Sequence, residues 1–473
     1  MSIAKVLLAV VVLAILTPSF SIWGGKAGRF QEPTAPTQYW FNDQLIDHFN
    51  PKDTRTFAQR YWVEPQYYNP SKGRVLFYIC GENTCAGVKN TSYYMQVAIA
   101  NQALVVVLEH RYYGLSLPFG NNSLTLDSLT YLTVEQALAD CAHFIGWMKG
   151  NNSVVNIPLN SKWVVVGGSY AGAMSAWFRL KYPHLVVGSW ASSSVINAIT
   201  DFTDYDYQIF LATNASGPAC PKTIQNLTAY VESNLYEYGA AWALQFKSKF
   251  GPSAAKLTNE EFLYYFADVF SAAVQYSQRV ELCNYLATYT SFDDIVRYFN
   301  QSGIDPITYS ANFTALTNWD INYSANRLWT YQVCTQFGWF QTAHPNPAYS
   351  LRSKFVNITF FENYCKQVFG APLWPNTDLI NNEFGGKYIA SSNTLIVNGG
   401  EDPWLWASNL NIGATNPLDT SYTANCNNCG HCIDLKQPTV NDPVALTNVR
   451  VKILNNITNW FNAPRSSPVM LDI

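Results

Sequence analysis

Apolar residues along the chain gather in short unbroken runs, without the in-out alternation of a sheet that has one wet face. Arg74 to Ile79 (RVLFYI) and Ala103 to Leu108 (ALVVVL) are two such runs, and Trp163 to Val166, Val186 to Trp190 and Thr394 to Val397 are shorter ones. Between them the spacing changes. Val134, Ala137, Leu138, Cys141, Phe144, Ile145 and Met148 recur at helical spacing, which predicts a helix over Thr133 to Lys149, and a second is predicted over Ala171 to Lys181. Continuous apolar strands separated by helices predict a parallel sheet covered on both faces. The class is α/β.

After Asn197 the pattern shifts. To about Gln341 the chain reads as helices rich in Tyr, Phe and Trp, with no strand-like run among them and with Cys220, Cys283, Cys334 and Cys365 available to staple them. Strand-like sequence returns at Thr394 to Val397, and a final helix is predicted within Val444 to Phe461. The expected organisation is a leader at 1–21, a core split between 22–196 and 346–473, and a helical lid at 197–345.

The leader reading rests on MSIAK, the apolar run Val6 to Leu16 and the small residues around Ser19-Phe20-Ser21. That is the layout of a secretory signal peptide, with a signal anchor as the alternative, and the run is too short to span a bilayer. No second run approaches the ~20 residues that a spanning helix needs. Sequons at Asn90, Asn121, Asn151, Asn214, Asn226, Asn300, Asn312, Asn322, Asn357 and Asn456 suit a glycosylated surface. Ten cysteines, all beyond the leader, favour disulfides in an oxidising lumen, although their pairing is not legible. A net charge of -3 offers no basic face to nucleic acid or anionic lipid. Charged residues make up only 13% and aromatics 15%, which implies a large apolar core.

The densest chemistry lies in WVVVGGSYAGAMSAWFRLKYP. An apolar strand runs into Gly167-Gly168-Ser169-Tyr170-Ala171-Gly172 and then directly into a helix. A serine on so sharp a turn is held with its Oγ exposed, while the helix N-terminus and the amide of Tyr170 point where an oxyanion would form. The usual pattern is G-x-S-x-G; here Ala171 takes the second glycine position and Gly172 follows. A phosphate-gripping turn is the alternative, but the Lys-Ser/Thr of a P-loop and the dinucleotide G-x-G-x-x-G are both absent.

A serine nucleophile needs a base, and the base needs a partner that fixes its tautomer. In the α/β-hydrolase order the acid and then the histidine follow the serine. His184 comes too soon after Ser169, and no strand with an acid precedes His344, which order alone leaves open. His431 fits, because TLIVNGGEDPW places Asp402 just past a strand end, with Glu401 as its neighbouring competitor. Ser169, Asp402 and His431 are the candidate triad.

GGSYAGAMSAWFRLKYPHLVVGSWASSSV, EHRYYGLS at Glu109 to Ser116, LTVEQALAD at Leu132 to Asp140 and YQVCTQFGWFQT at Tyr331 to Thr342 carry a resemblance. Together they resemble the lysosomal Pro-X carboxypeptidase family, which also contains dipeptidyl peptidase II and the thymus-specific serine protease. The resemblance covers nearly the whole chain beyond the leader, and SYAGA and WASS look most similar to the thymus-specific branch. It implies an α/β-hydrolase fold with an inserted helical lid, and a triad on the same Ser169, Asp402 and His431. It implies an oxyanion hole from the amide of Tyr170 and, by analogy with the fold, a second donor around Gly81 and Glu82. It implies cleavage after proline, with Trp404 at an aromatic position of the substrate pocket. Where proline-specific members carry a pocket methionine in the elbow helix, the matching position here is Ala173, with Met174 beside it. The residue that would grip one peptide terminus is not identifiable, so the exopeptidase direction stays open.

Around His431 the sequence reads NCNNCGHCIDL, which places Cys426, Cys429 and Cys432 beside the candidate base. Haem attachment needs C-x-x-C-H, and Gly430 intervenes. Zinc is weighed against by the oxidising lumen and by the coherent Ser-Asp-His order, and C-G-H-C redox catalysis needs a thioredoxin fold that nothing here resembles. The expectation is that these cysteines form disulfides bracing the His431 loop, and no metal or organic cofactor is expected. The function read is a lumenal, lysosomal or secreted serine peptidase acting on the ends of short peptides. Partners are peptide substrates, without nucleic acid or a membrane span, and a homodimer is kept as an option. An esterase or lipase-like hydrolase, or an inactive binding protein on the same scaffold, are the alternatives.

Overall fold

The computed structural model describes residues 37–464 of the 473-residue chain. The expected leader at 1–21 lies outside the described residues. Eight strands form the central sheet in the order β1-β2-β4-β3-β5-β6-β9-β10. These are β1 (Gln38–Leu45), β2 (Thr56–Glu64), β3 (Arg74–Ile79), β4 (Leu104–Leu108), β5 (Lys162–Gly168), β6 (Gly188–Ser192), β9 (Thr394–Gly399) and β10 (Thr420–Ala424), with β7 and β8 in a separate pair described below. β1, β2 and β4 pair antiparallel, and every pairing from β4 to β10 is parallel. The strand order, together with the sharp turn from β5 into the helix Tyr170–Lys181, makes this an α/β-hydrolase fold.

The unbroken apolar runs are explained by burial on both faces. Val75, Phe77 and Ile79 of β3 enter a core with the helices Val134–Gly150 and Tyr170–Lys181. Leu76, between them, joins the opposite core with the helices Tyr93–Asn101 and Val444–Asn462. The antiparallel β1 and β2 were not visible as runs, because polar residues interrupt both. β6 begins two residues later than its pattern predicts. A side chain at Gly188 would lie 2.3 Å from the Trp460 ring, so a glycine that reads as a boundary is a packing requirement inside the strand.

Between β6 and β9 the chain is mainly helical, and the helices continue past residue 345 through Ile358–Phe369 and Thr377–Phe384. One expectation fails here. β7 (Ile199–Asp201) and β8 (Gly338–Phe340) pair as a small parallel sheet, whereas no strand was predicted in this segment. Three-residue strands are too short to leave a periodic signal, and Gly338 is what lets β8 approach the Ile199 carbonyl. The stapling cysteines pair as Cys220–Cys283 and Cys334–Cys365.

The motifs EHRYYGLS and LTVEQALAD meet under the sheet edge. Asp140 is buried and accepts from Arg111 Nε and Nη2, each at 2.6 Å, and from His48 Nε2 at 2.8 Å. Burial opposes ionisation of Asp140, but Arg111 and His48 more than offset it, so its carboxyl sits below the ordinary range. This contribution is present above the carboxylate's unfolded pKa and is lost as pH falls through the lower folded value. Asp140→Ala leaves Arg111 buried without its partner. It is expected to cost about 3–5 kcal/mol in chemical denaturation at pH 7, with the gap to wild type narrowing at acid pH.

Candidate active site

Ser169 sits half-buried between β5 and the elbow helix with φ 63° and ψ −128°, a left-handed conformation that a serine adopts only when its surroundings enforce it. The enforcement is steric. A side chain at Gly167 would strike the Ala171 carbonyl at 2.0 Å, and one at Gly172 would strike the Ser192 carbonyl of β6 at 2.4 Å. Gly172 therefore makes the close approach to the next strand, and Ala171 is tolerated in the motif's last position. The Ala171 methyl faces Gly81, whose Cβ position lies 3.4 Å from it. The loop after β3, closed by the Cys80–Cys85 disulfide, thus lies over the first turn of the elbow helix.

As the first helical residue, Tyr170 has an amide with no acceptor inside the helix. Its side chain is tied back beneath the turn. His110 Nδ1 donates to the Arg111 carbonyl at 2.7 Å, which leaves His110 Nε2 to accept from the Tyr170 hydroxyl at 3.1 Å. Burial pushes His110 down to about 4, so the ring is neutral and can accept. Gln332 Nε2 donates to the same hydroxyl at 3.0 Å, and Tyr113 donates to Gln332 Oε1 at 2.6 Å. EHRYYGLS and the TYQVC segment thereby meet under the residue next to the nucleophile.

Asp402 lies just past the end of β9, fully buried, and accepts from His431 Nδ1 at 2.8 and 2.9 Å. The Trp404 amide donates to the same carboxylate at 3.0 Å. Glu401, the competing acid, is committed elsewhere, since it forms a buried ion pair with Arg279 and accepts from the Asn428 amide at 3.0 Å. Burial disfavours the imidazolium of His431, but the charge and hydrogen bond of Asp402, helped by the adjacent Cys432, outweigh it and raise its pKa well above the usual range. His431 Nε2 is buried and makes no hydrogen bond to Ser169 or to any other described residue. Bonds of this kind commonly tighten only when substrate binds.

Three segments meet backbone to backbone around His431. A side chain at Gly399 would strike the Gly430 carbonyl at 2.1 Å, and one at Gly430 would strike the Gln275 carbonyl at 2.4 Å. The His431 amide donates to that Gln275 carbonyl at 2.8 Å. Gln275 ends the helix Asn259–Gln275, and its Oε1 accepts from Tyr205 at 2.9 Å and from Trp404 Nε1 at 3.2 Å. Arg279, four residues on, reaches Asn427 Oδ1 at 2.7 Å as well as Glu401. On the far side the Cys432 amide donates to Ser193 Oγ at 2.8 Å, and its Sγ lies 2.9 Å from the Cβ position of Gly168. The residue after His431 therefore packs against the residue before Ser169.

The cysteine cluster needs a correction. Cys426 and Cys429 are bonded to each other and close the turn before His431, whereas Cys432 stays a free thiol, as does the buried Cys141. The left-handed backbone at Cys432 (φ 51°) and its amide bond to Ser193 hold it on the β6 side instead. Among the described residues no group of three or more His, Cys, Asp or Glu is placed to hold a metal ion. Trp404 is buried, its ring 6.4 Å from that of His431 and 5.1 Å from Tyr205. Ala173 and Met174 are both buried in the elbow helix, Met174 beside a small void of about 10 Å³ shared with Ile79, His110 and Cys141. Sequence reasoning missed Gln275 and Arg279, and nothing in their local sequence marks them, because their partners lie far along the chain, Trp404 at 129 residues and Asn427 at 148.

The sequence pattern of the serine carboxypeptidase S28 family matches residues 44–453 of the chain. The chain is 35% identical to the probable serine protease EDA2 of Arabidopsis thaliana, over 96% of its own length and 94% of that protein's. It is 30% identical to the human thymus-specific serine protease over 90% and 87% of the two chains. It is 29% identical to the human lysosomal Pro-X carboxypeptidase over 92% of each.

Two outcomes follow from this geometry. A base must be unprotonated, so labelling of Ser169 by a fluorophosphonate is expected to rise with pH through the raised pKa of His431. Asp402→Asn should move that rise to lower pH while cutting the maximal rate about 10⁴-fold, as loss of the correct tautomer does. Arg279→Gln leaves Glu401 buried and unpaired and should cost about 3–5 kcal/mol in chemical denaturation. A cost under about 1 kcal/mol, the value of a surface pair, would mean that the clamp bears no load.

Proposed function

The chain belongs to the serine carboxypeptidase S28 family, and from that premise we propose that it removes residues from the ends of short peptides, next to proline, through an acyl-enzyme on Ser169. It is a serine peptidase on an α/β-hydrolase fold. The observation that carries the finer reading is the Asp402–His431 pair, held at 2.8 Å by buried groups beside the elbow serine. In the proposed cycle Ser169 Oγ attacks the scissile carbonyl while His431 Nε2 takes its proton. The same nitrogen then returns the proton to the leaving amine, and a water repeats the sequence to free the acyl group. Asp402 keeps the proton of His431 on Nδ1 and stabilises the imidazolium that forms. The amide of Tyr170 and one from the Gly81–Glu82 turn receive the oxyanion, a placement supported by the packing of Gly81 on Ala171.

The proline preference is supported by the aromatic cluster that Trp404 forms with Tyr205 and Phe202, buried beside His431. It is supported further by the relative whose name is lysosomal Pro-X carboxypeptidase. The helices between β6 and β9 border the site at Gln275, so in this reading they act as the lid that admits only peptide ends. Four disulfides support a protein of the secretory pathway. All but one of the ten sequon asparagines are exposed, Asn456 being half-buried, which supports glycosylation in a lysosome or outside the cell.

The test is mass spectrometry of the products from short peptides with proline second or penultimate, for wild type and Ser169→Ala, at acidic and neutral pH. Terminal fragments ending in proline, absent with the variant, are the expected result. Turnover of esters alone by a folded, fluorophosphonate-reactive wild type would replace the peptidase reading with an esterase one.

A further inference from the structure

Eight of the ten cysteines are paired, and the two that remain differ in access. Cys141 is buried in the helix Val134–Gly150, whereas Cys432 is half-buried and open in part to solvent. A reachable free thiol stands out in a chain otherwise stapled by disulfides. Its place is specific. Cys432 directly follows His431, its amide donates to Ser193 Oγ at 2.8 Å, and its Sγ donates to the Ser192 carbonyl at 3.9 Å. The same Ser192 carbonyl accepts from the Ser169 amide at 2.9 Å. One carbonyl of β6 thus holds both the thiol and the backbone of the elbow serine.

There is no spare room between them. The Cβ position of Gly168 lies 2.9 Å from Cys432 Sγ and 2.9 Å from Leu435 Cδ1, so a single methyl group there would already displace a neighbour. Gly168 precedes Ser169, whose left-handed conformation is sustained only by its surroundings. The neighbouring His431 Nε2 is buried and has no hydrogen-bond partner among the described residues. The thiol helps to push the His431 pKa up, so the two groups feel each other. A reachable thiol therefore adjoins an unpartnered nitrogen able to take its proton. Cys429 does not compete for that thiol, because it is bonded to Cys426 and the left-handed backbone at Cys432 turns Sγ towards β6.

We propose that Cys432 is a modification site for low-molecular-weight disulfides, and that a mixed disulfide there switches the site off by forcing the Ser169 turn and His431 apart. The exchange needs no further oxidant. His431 Nε2 takes the thiol proton, and the Cys432 thiolate attacks one sulfur of the small disulfide. A bond from Cys432 Sγ to that sulfur forms as the reagent's own sulfur–sulfur bond breaks. The departing thiolate recovers the proton from His431 and leaves as a thiol. Excess free thiol reverses the step. The group left on Sγ adds several heavy atoms where a methyl has no room, so the turn or the base must move, and small misplacements of either are costly in rate. The inference rests on Ser169 as nucleophile and His431 as base in the reading above, and is independent of the peptide preference.

The experiment treats wild type, Cys432→Ser and Cys432→Ala with excess 2-hydroxyethyl disulfide. The rate of fluorophosphonate labelling of Ser169 is then measured, each protein against its own untreated sample. Peptide mass mapping locates the modification, and melting curves follow the fold. Wild type is expected to be modified at Cys432 and to lose labelling rate at least about tenfold while still melting cooperatively. Brief exposure to 2-mercaptoethanol should restore the rate with the four disulfides intact. Both variants should keep their untreated rates. Full modification of Cys432 with an unchanged rate overturns the inference and leaves the serine nucleophile in place, as does an equal loss in the variants. Failure of the folded wild type to react at Cys432, or unfolding of the modified protein, overturns it too. An untreated wild type that never labels removes Ser169 as the nucleophile, and the inference with it.

Discussion

The close approach of three backbones at Gly399, Gly430 and Gln275 is the constraint on which the rest of the site depends. A methyl group at either glycine would overlap a carbonyl, so the turn after β9, the cysteine-closed turn before His431 and the end of a distant helix can meet only as they do. Once they meet, the remaining groups have little freedom. Asp402 faces His431 Nδ1, Glu401 is turned away to Arg279, and the His431 amide is held by a helix-end carbonyl that would otherwise lack a partner. The tautomer of the base is a consequence of this packing.

The helical segment between β6 and β9 is therefore more than a cover. Its Gln275 bridges Tyr205 and Trp404, and its Arg279 ties the acid turn to the turn that carries the histidine. If the segment is the lid of the proposed reading, it cannot lift as one body without loosening the hold on His431. In the proposed reading Asp402 and His431 stay in register beneath this segment, which favours proton transfer.

The nucleophile side is held by a separate and equally buried set of bonds. Neutral His110, Gln332 and Tyr113 fix the Tyr170 hydroxyl, and Glu109 with Arg60 fixes the turn above it. The strain stored at Ser169 is sustained because Gly167 and Gly172 let strand and helix approach on both sides. Two braced halves meet where Cys432 packs on Gly168, which in the proposed reading brings His431 towards Ser169.

Much of this was legible in the residues themselves. Unbroken apolar runs and helical spacing are local signals, so the parallel core, the elbow at Ser169 and the order of Ser169, Asp402 and His431 could be read directly. The sequence favours Asp402 over Glu401, but the commitment of Glu401 to Arg279, 122 residues away, was not legible. The pairing of Cys426 with Cys429 and the isolation of Cys432 were equally invisible, since spacing does not say which way a side chain faces. Local sequence determined the parallel strands of the core, the helices that cover them and where the elbow serine stands. Tertiary structure decided which buried charges pair, because pairing depends on which distant segments bury the same volume and exclude water from it.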